Sequence, residues 1–481
     1  MKTYFAICLL CLSQILTINA GAPSDELIFV TAVVRHGVRR MMNQDYMRIT
    51  NNSSFLREPG RLTNVGKHQL YLYGRQLADL YMNTNKLLSI RYNPYQITIR
   101  SSGVNRTIES AQSLIAGLYQ HGTGPALTSF QIEKAVPPIK VSNLNEIQHK
   151  LRDAALPFYM RTVPVHTSSP SNDFFFSPYT ECDALTKYVD KPFTKGLAKI
   201  NDQFTKFYEY FTKKYKITVG SMDDCYRLYD NIVTLKANAI PMNVAISPAD
   251  LSMLKVIAFE NNIKNFTGLD LQVKLIGHVI LTDVKNHFAR AVADSENSVP
   301  GDKRLRMAIM QISDSHILAL NKLFALNLTG PVEFASAVIF ELHKHVDSYN
   351  NVFYRVKAFY NGEEVILHSN LGKYDEFMRF LHDNTYTDDE DFMSNCMTIP
   401  MVYFDRETYV AVAVILFLSL IILWLSNWFI LTRKPEQPKE VDAEAESTPS
   451  PLEGINNTML ESGRINEPSL LTPNEEKKSE S

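Results

Sequence analysis

Residues 27–40 read LIFVTAVVRHGVRR, and this stretch decides the fold. Leu27 to Val34 form a continuous apolar run rich in β-branched residues. A strand built from such a run has no polar face and must be covered on both sides, as in a parallel α/β sheet. Arg35, His36, Gly37 and Arg39 follow at once. In open α/β sheets ligands bind just beyond the carboxyl ends of strands, so a site belongs here. Gly37 lets the backbone turn and a bound group come close. Arginines around one imidazole suit a phosphate, because guanidinium forks match its oxygens bidentately.

Outward from this strand the same grammar repeats. Leu62 to Tyr81 carries a helical pattern with Thr63 as a cap, Gln96 to Arg100 (QITIR) reads as a short strand, and NRTIESAQSLIAGLY from Asn105 is again helical. Arg100 ends that second strand and is expected to converge on the rim with Arg35 and Arg39. Met307 to Ile312 (MAIMQI) reads as a third buried strand ending at Ser313 and Asp314. Strand alternating with helix predicts a layered α/β fold with a mostly parallel sheet flanked by helices. The aromatic, Lys-rich middle, about residues 122–241, is expected to form a smaller, mainly helical cap.

Two segments lie outside this body. Residues 1–20 have the length and flanks of a secretory signal peptide: Lys2, an apolar stretch from Phe5 to Ile18, then small residues, with cleavage expected after Ala20. Tyr409 to Leu431 is nearly all apolar and uncharged, and at about 1.5 Å per residue spans the roughly 30 Å hydrocarbon core as one transmembrane helix. Arg433 and Lys434 follow it, while Trp424 and Trp428 sit towards the same end, which predicts a type I orientation with the body outside the cytosol. The tail, 432–481, is rich in Pro, Glu, Ser and Lys and is expected to be disordered. It contains EPSLL at Glu467 to Leu471, similar to an acidic dileucine sorting signal.

The formal charge of −2 over 481 residues gives no basic face for nucleic acid. Three cysteines remain in the body, Cys182, Cys225 and Cys396, so one pair and one leftover thiol are expected in an oxidising compartment. Sequons at Asn51, Asn52, Asn265 and Asn327 suit that compartment. Asn105 heads another, expected beside the site and unmodified, and Asn456 falls in the tail. His343 and His345 alternate and would share a strand face, but no third metal ligand accompanies them.

The chain resembles the histidine acid phosphatases along most of its body. VVRHGVRR is similar to their Arg-His-Gly-x-Arg-x-Pro signature, with Met41 in the place of Pro. LTNVGKHQLYLYGRQL and IRSSGVNRTIESAQSLIAGLY resemble their next two motifs. The resemblance implies that His36 is the nucleophile, that Arg35, Arg39 and Arg100 hold the phosphoryl group, and that Asp314 protonates the leaving oxygen. It implies no metal or cofactor, and a disulfide between Cys182 and Cys396. The position that would pair with Cys225 is Ala337. Where the family has a phosphate-binding histidine this chain has Ser313, with His316, two residues beyond Asp314, read as a helix-start residue facing elsewhere.

Two functions stay open at this point. One is hydrolysis of phosphate monoesters on the lumenal or extracellular side, from a lysosomal or endosomal membrane or the cell surface. The other is a weak or inactive homologue that binds a phosphorylated ligand in the same pocket. The retained Arg35, His36, Arg39, Arg100 and Asp314 favour the enzyme, and Ser313 favours the binder. The partners implied are a small phosphate monoester and a membrane, and a homodimer is compatible with both functions.

Overall fold

A computed structural model describes residues 23–432 apart from 43–48, 53–54, 56, 170–172, 187–199, 369 and 398–405. The expected signal peptide and nearly all of the tail, including Asn456 and the EPSLL motif, lie outside the described residues. The chain divides into two units, 1–402 and 403–481.

The first unit is built on one seven-stranded sheet, in the order β3-β2-β4-β1-β5-β6-β7. β1 (Ser24–Arg35) lies between β4 (Met307–Ile312) and β5 (Ala337–Val346). β2 (Ile97–Ser101) joins β4 to the two-residue β3 (His166–Thr167). β1, β4, β2 and β3 are parallel to one another, but β5, β6 (Val352–Tyr360) and β7 (Glu363–Val365) run antiparallel to their neighbours. The sheet is therefore mixed rather than mostly parallel. β5, β6 and β7 are joined by tight turns, which can only reverse a strand, and this hairpin run enters the sheet antiparallel to β1. At the second turn Asn361 and Gly362 both hold positive φ, 51° and 91°, as a two-residue hairpin with the sheet's twist requires.

Both faces of β1 are covered, as its unbroken apolar run demands. Phe29 and Val33 pack with Val284 and Phe288 of α6 (Asp270–Glu296) and with Ile317 and Phe324 of α7 (Asp314–Phe324). Val30, Ala32 and Val34 pack on the other side with Leu70 and Leu77 of α1 (Asn64–Ala78) and Leu114 of α2 (Asn105–Leu118). The β1–β5 register shifts between Leu27 and Phe29, and Ile28 and Phe29 both join the α6/α7 layer. Thr63 caps α1 by accepting from the Gly66 N–H at 3.2 Å, and the helix widens into a π-helical turn over Asp79–Thr84.

The stretch 122–241 divides between the main sheet and a helical layer that continues past 241. His166–Thr167 forms the edge strand of the main sheet, while α3 (Thr205–Tyr215) and α4 (Met222–Ala237) share a core with α5 (Pro248–Thr267), which lies beyond 241. Phe211, Leu228, Ile232, Leu254 and Ile257 make that core. Sequence adjacency could not reveal it, because the helices find one another across a loop. Cys182 and Cys396, 214 residues apart, are bonded, beside Phe392 of α9 (Asp389–Met397). Cys225 is free and buried, and burial pushes its thiol up to about 12.

In the second unit α10 (Arg406–Thr432) is helical throughout. Its side chains are described for 414–428, where all but the two serines and Asn427 are apolar or aromatic and Trp424 stacks on Trp428. Among the described residues no helix is long and apolar enough to cross a membrane.

Candidate active site

The site gathers where β1, β2 and β4 end. After Arg35 the backbone leaves the sheet: His36 N–H still donates to Ile312 O at 3.1 Å, while Gly37 N–H turns to Ser110 Oγ of α2 at 3.2 Å. Val38 N–H donates to Gln69 Oε1 of α1 at 2.9 Å, so both helices of that layer hold the turn. A Cβ on Gly37 would collide with the Gly66 backbone, which makes glycine a steric requirement there.

His36 is 2% exposed. Its Nδ1 lies 2.9 Å from Gly37 O, and a carbonyl can only accept, so Nδ1 carries the proton and Nε2 keeps its lone pair. Burial, then the charges of Arg106, Arg35 and Arg39, hold this imidazole well below its ordinary range. A Phe334 ring lies 5.8 Å away, with the guanidiniums of Arg35 and Arg39 at 4.5 and 5.5 Å from its centroid.

The arginines are not equivalent. Arg35 donates to Asp314 Oδ2 at 2.7 Å and to the Val332 carbonyl. Arg39 is gripped by both oxygens of Asp230, at 2.9 and 3.1 Å. Arg106, in the first turn of α2, feels Arg39, Tyr179, Asp314 and Arg35, and burial lowers its pKa. Two buried guanidinium N–H groups, Nε of Arg35 and Nε of Arg106, have no partner among the described residues. An unpaired buried donor is costly, and a site for an anion is its simplest reason to exist.

Arg100 does not join this set. Asp283 of α6 takes its Nη1 at 2.6 and 2.7 Å, and its guanidinium lies 5.0 Å over the Phe176 ring. Strand side chains alternate faces, and Arg100 falls on the α6 side. Arg106 was present in the quoted motif, as the second residue of a helix whose N-terminus faces the site; that placement was the signal. The sequon residue Asn105 is exposed beside it.

Asp314 is the first residue of α7 and Ser313 its N-cap. Burial opposes ionisation of Asp314, but Arg35, Arg39 and Arg106 outweigh it and hold the carboxyl below the usual carboxylate range. Ser313 is buried, and the Tyr179 hydroxyl donates to its Oγ at 3.5 Å. His316 is fully buried on α7, and burial pulls it down to about 4. The backbone of Ser313 and Phe175 favours its charged form, yet neither ring nitrogen reaches hydrogen-bond geometry. Sequence reasoning missed Asp230, Tyr179 and Phe334, which arrive from distant segments without a motif of their own.

His343 and His345 do share a face of β5, with His343 between Glu341 Oε2 (3.0 Å) and Asp25 Oδ2 (3.3 Å). Among the described residues no group of His, Cys, Asp or Glu is arranged to hold a metal.

Over residues 26–361 the chain matches the model of the histidine phosphatase superfamily, branch 2, and it belongs to that family. Its curated relatives include the lysosomal acid phosphatase of Xenopus laevis, 25% identical over 354 residues that make up 71% of each chain. Human testicular acid phosphatase is 25% identical over 341 residues, 67% of this chain and 69% of that one. Among solved structures, the phytase of Klebsiella sp ASR1 superposes with a TM-score of 0.51 at 13% identity, covering 79% of this chain and 98% of that one; this likeness concerns the fold.

Proposed function

We propose that this protein is an acid phosphatase that hydrolyses phosphate monoesters through a phosphohistidine at His36. The observation that carries the reading is the state of that ring: buried, neutral, with Nδ1 occupied by Gly37 O and Nε2 free, among three guanidiniums. Arg35, Arg39 and Arg106 bind the phosphoryl oxygens and stabilise the charge that builds on them in the transition state. Nε2 attacks phosphorus, the ester P–O bond breaks, and Asp314 gives its proton to the leaving oxygen. A water molecule, deprotonated by the same carboxylate, then attacks phosphorus; the P–Nε2 bond breaks, its electron pair returns to the ring, and inorganic phosphate leaves.

Asp314 must be protonated for the first step, although its surroundings favour the anion. A bound phosphoryl dianion offsets the arginine charges, so substrate binding itself raises the Asp314 pKa. Rapid quench with labelled aryl phosphate should trap an acid-labile, base-stable phosphoprotein, absent in His36→Ala. Unchanged turnover in His36→Ala would overturn His36 as the nucleophile, and no turnover by the parent protein would replace this reading with the ligand-binding homologue.

We also propose that Tyr409 to Leu431 anchors the protein, with the body lumenal or extracellular; the apolar run and the trailing Arg433 and Lys434 support this. The relative named lysosomal acid phosphatase supports a lysosomal setting. Protease added to sealed, cytosolic-face-out vesicles should remove the tail and spare the body. Digestion of the body would reverse the orientation.

A further inference from the structure

Beside Arg35 and Asp314 opens a cavity of about 230 Å³. On the assigned chemistry, the phosphoryl group sits at the arginine end, so this cavity receives the leaving group. Its walls away from the arginines are Tyr226, Tyr229 and Val233, and it carries the carboxylates of Asp230 and Glu333.

The charges do not cancel evenly. Asp314 is matched by Arg35 and Asp230 by Arg39, whereas Glu333 forms no ion pair among the described residues. It is exposed at the cavity, and its charge is felt by the phenols of Tyr229 and Tyr360. Lys255 lies against Gly330, but it does not line the cavity. The Phe334 ring is already taken by Arg35 and Arg39, while the rings of Tyr226 and Tyr229 carry no cation among the described residues. A leaving group therefore meets aromatic faces and one unmatched negative charge.

We infer that the preferred substrates are phosphate monoesters of small amino alcohols, whose ammonium group sits between Glu333 and the tyrosine rings. The inference rests on the phosphatase reading of the site and specifies its substrate class. Aromatic rings attract a cation through their quadrupole, and a nearby carboxylate adds to that attraction. The same features disfavour a leaving group that carries further phosphates, because it would bring negative charge to Glu333 and Asp230.

The test uses the full chain and four probes: an aryl phosphate, choline phosphate, glycerol phosphate and inositol hexakisphosphate. Choline phosphate should exceed glycerol phosphate in kcat/KM by roughly three- to tenfold, the combined scale of exposed cation–π and ion-pair contacts. Inositol hexakisphosphate should be the poorest of the four. Glu333→Gln and Tyr229→Leu should each lower the choline-to-glycerol ratio by about threefold, and added salt should lower it in the parent. An equal or reversed ratio, with aryl phosphate still hydrolysed, overturns the substrate class and leaves the phosphatase standing. A ratio unmoved by both substitutions also overturns it, because the preference would then come from leaving-group chemistry. If no probe is hydrolysed, the phosphatase reading fails first and this inference with it.

Discussion

At the residue scale, what distinguishes the site is how its cations are shared. Arg39 is held by Asp230 and Arg35 by Asp314, while Arg106, like Arg35, keeps a buried Nε without a partner among the described residues. Arg106 is also the first-ranked charge acting on His36 after burial. Removing a preorganised charged donor from a transition state costs about 10²–10³ in rate. Arg106→Ala should therefore lower kcat/KM on an aryl phosphate by about that factor, whereas Arg100→Ala should lower it less than about tenfold. Steady-state kinetics of the two variants side by side decide the matter, and equal losses would return Arg100 to the site. Ser313 shows the same logic from the other side. The space that a longer side chain would need is approached by the Tyr179 hydroxyl, which also acts on Arg106. The serine and the tyrosine thus stand together where the family resemblance expected one histidine.

At the element scale, the turn that carries His36 is only as rigid as the helix pair beneath it. α1 and α2 cross with their backbones in contact: a Cβ on Gly74 would collide with the Leu114 carbonyl, and one on Gly117 with the Tyr71 carbonyl. Backbone cannot rotate away as a side chain can, so the helices would have to separate. Gly277 is the control, since a Cβ there meets only leucine side chains at 3.6–4.0 Å. Gly74→Ala should destabilise by about 1–3 kcal/mol. Gly277→Ala, in the middle of α6, should be neutral or stabilise by up to about 1 kcal/mol through helix propensity and lost unfolded-state entropy. Urea midpoints at unchanged slope measure both, and similar shifts for the pair would mean that the crossing is not close-packed.

At the scale of the whole molecule, buried imidazoles set the acid limit. Burial lowers His36 well below its usual value and takes His278 and His316 down to about 4. His278 Nδ1 accepts the Tyr386 N–H at 3.2 Å, which requires a neutral ring. Between the ordinary value of about 6.5 and these folded values, the unfolded chain binds protons that the native chain refuses, so stability falls as pH falls. Each such ring contributes a slope of up to about 1.4 kcal/mol per pH unit. Asp314, depressed by the arginines, acts in the same direction at lower pH: its contribution is present above the ordinary carboxyl range and is lost as pH falls through its folded value. The Tm should therefore drop steadily from pH 7 to 4.5, and less steeply in His278→Gln, which keeps an acceptor for Tyr386. A Tm that rises towards pH 4.5 would refute the assignment of neutral native rings. The Cys182–Cys396 bond, closing a 214-residue separation, offsets part of this loss by restricting the unfolded chain.

The sequence by itself determined what is local. An apolar run without a polar face must be a strand covered on both sides, so β1 and β4 could be read directly, and the residues just after them, His36 and Asp314, lie at strand ends whatever the rest of the chain does. Thr63 could be read as a cap for the same reason, since its partner is three residues away. Only the tertiary structure decided which arginine faces the imidazole, because side-chain direction along β2 depends on what the strand pairs with and which helix covers it. It also decided that the sheet is mixed; Asn361-Gly362 marks a reversal, but not to which sheet the hairpin belongs. Asp230 reaches Arg39 across 191 residues and Tyr179 reaches Ser313 across 134, and no periodicity in a sequence encodes contacts that two separately packed layers must first bring together.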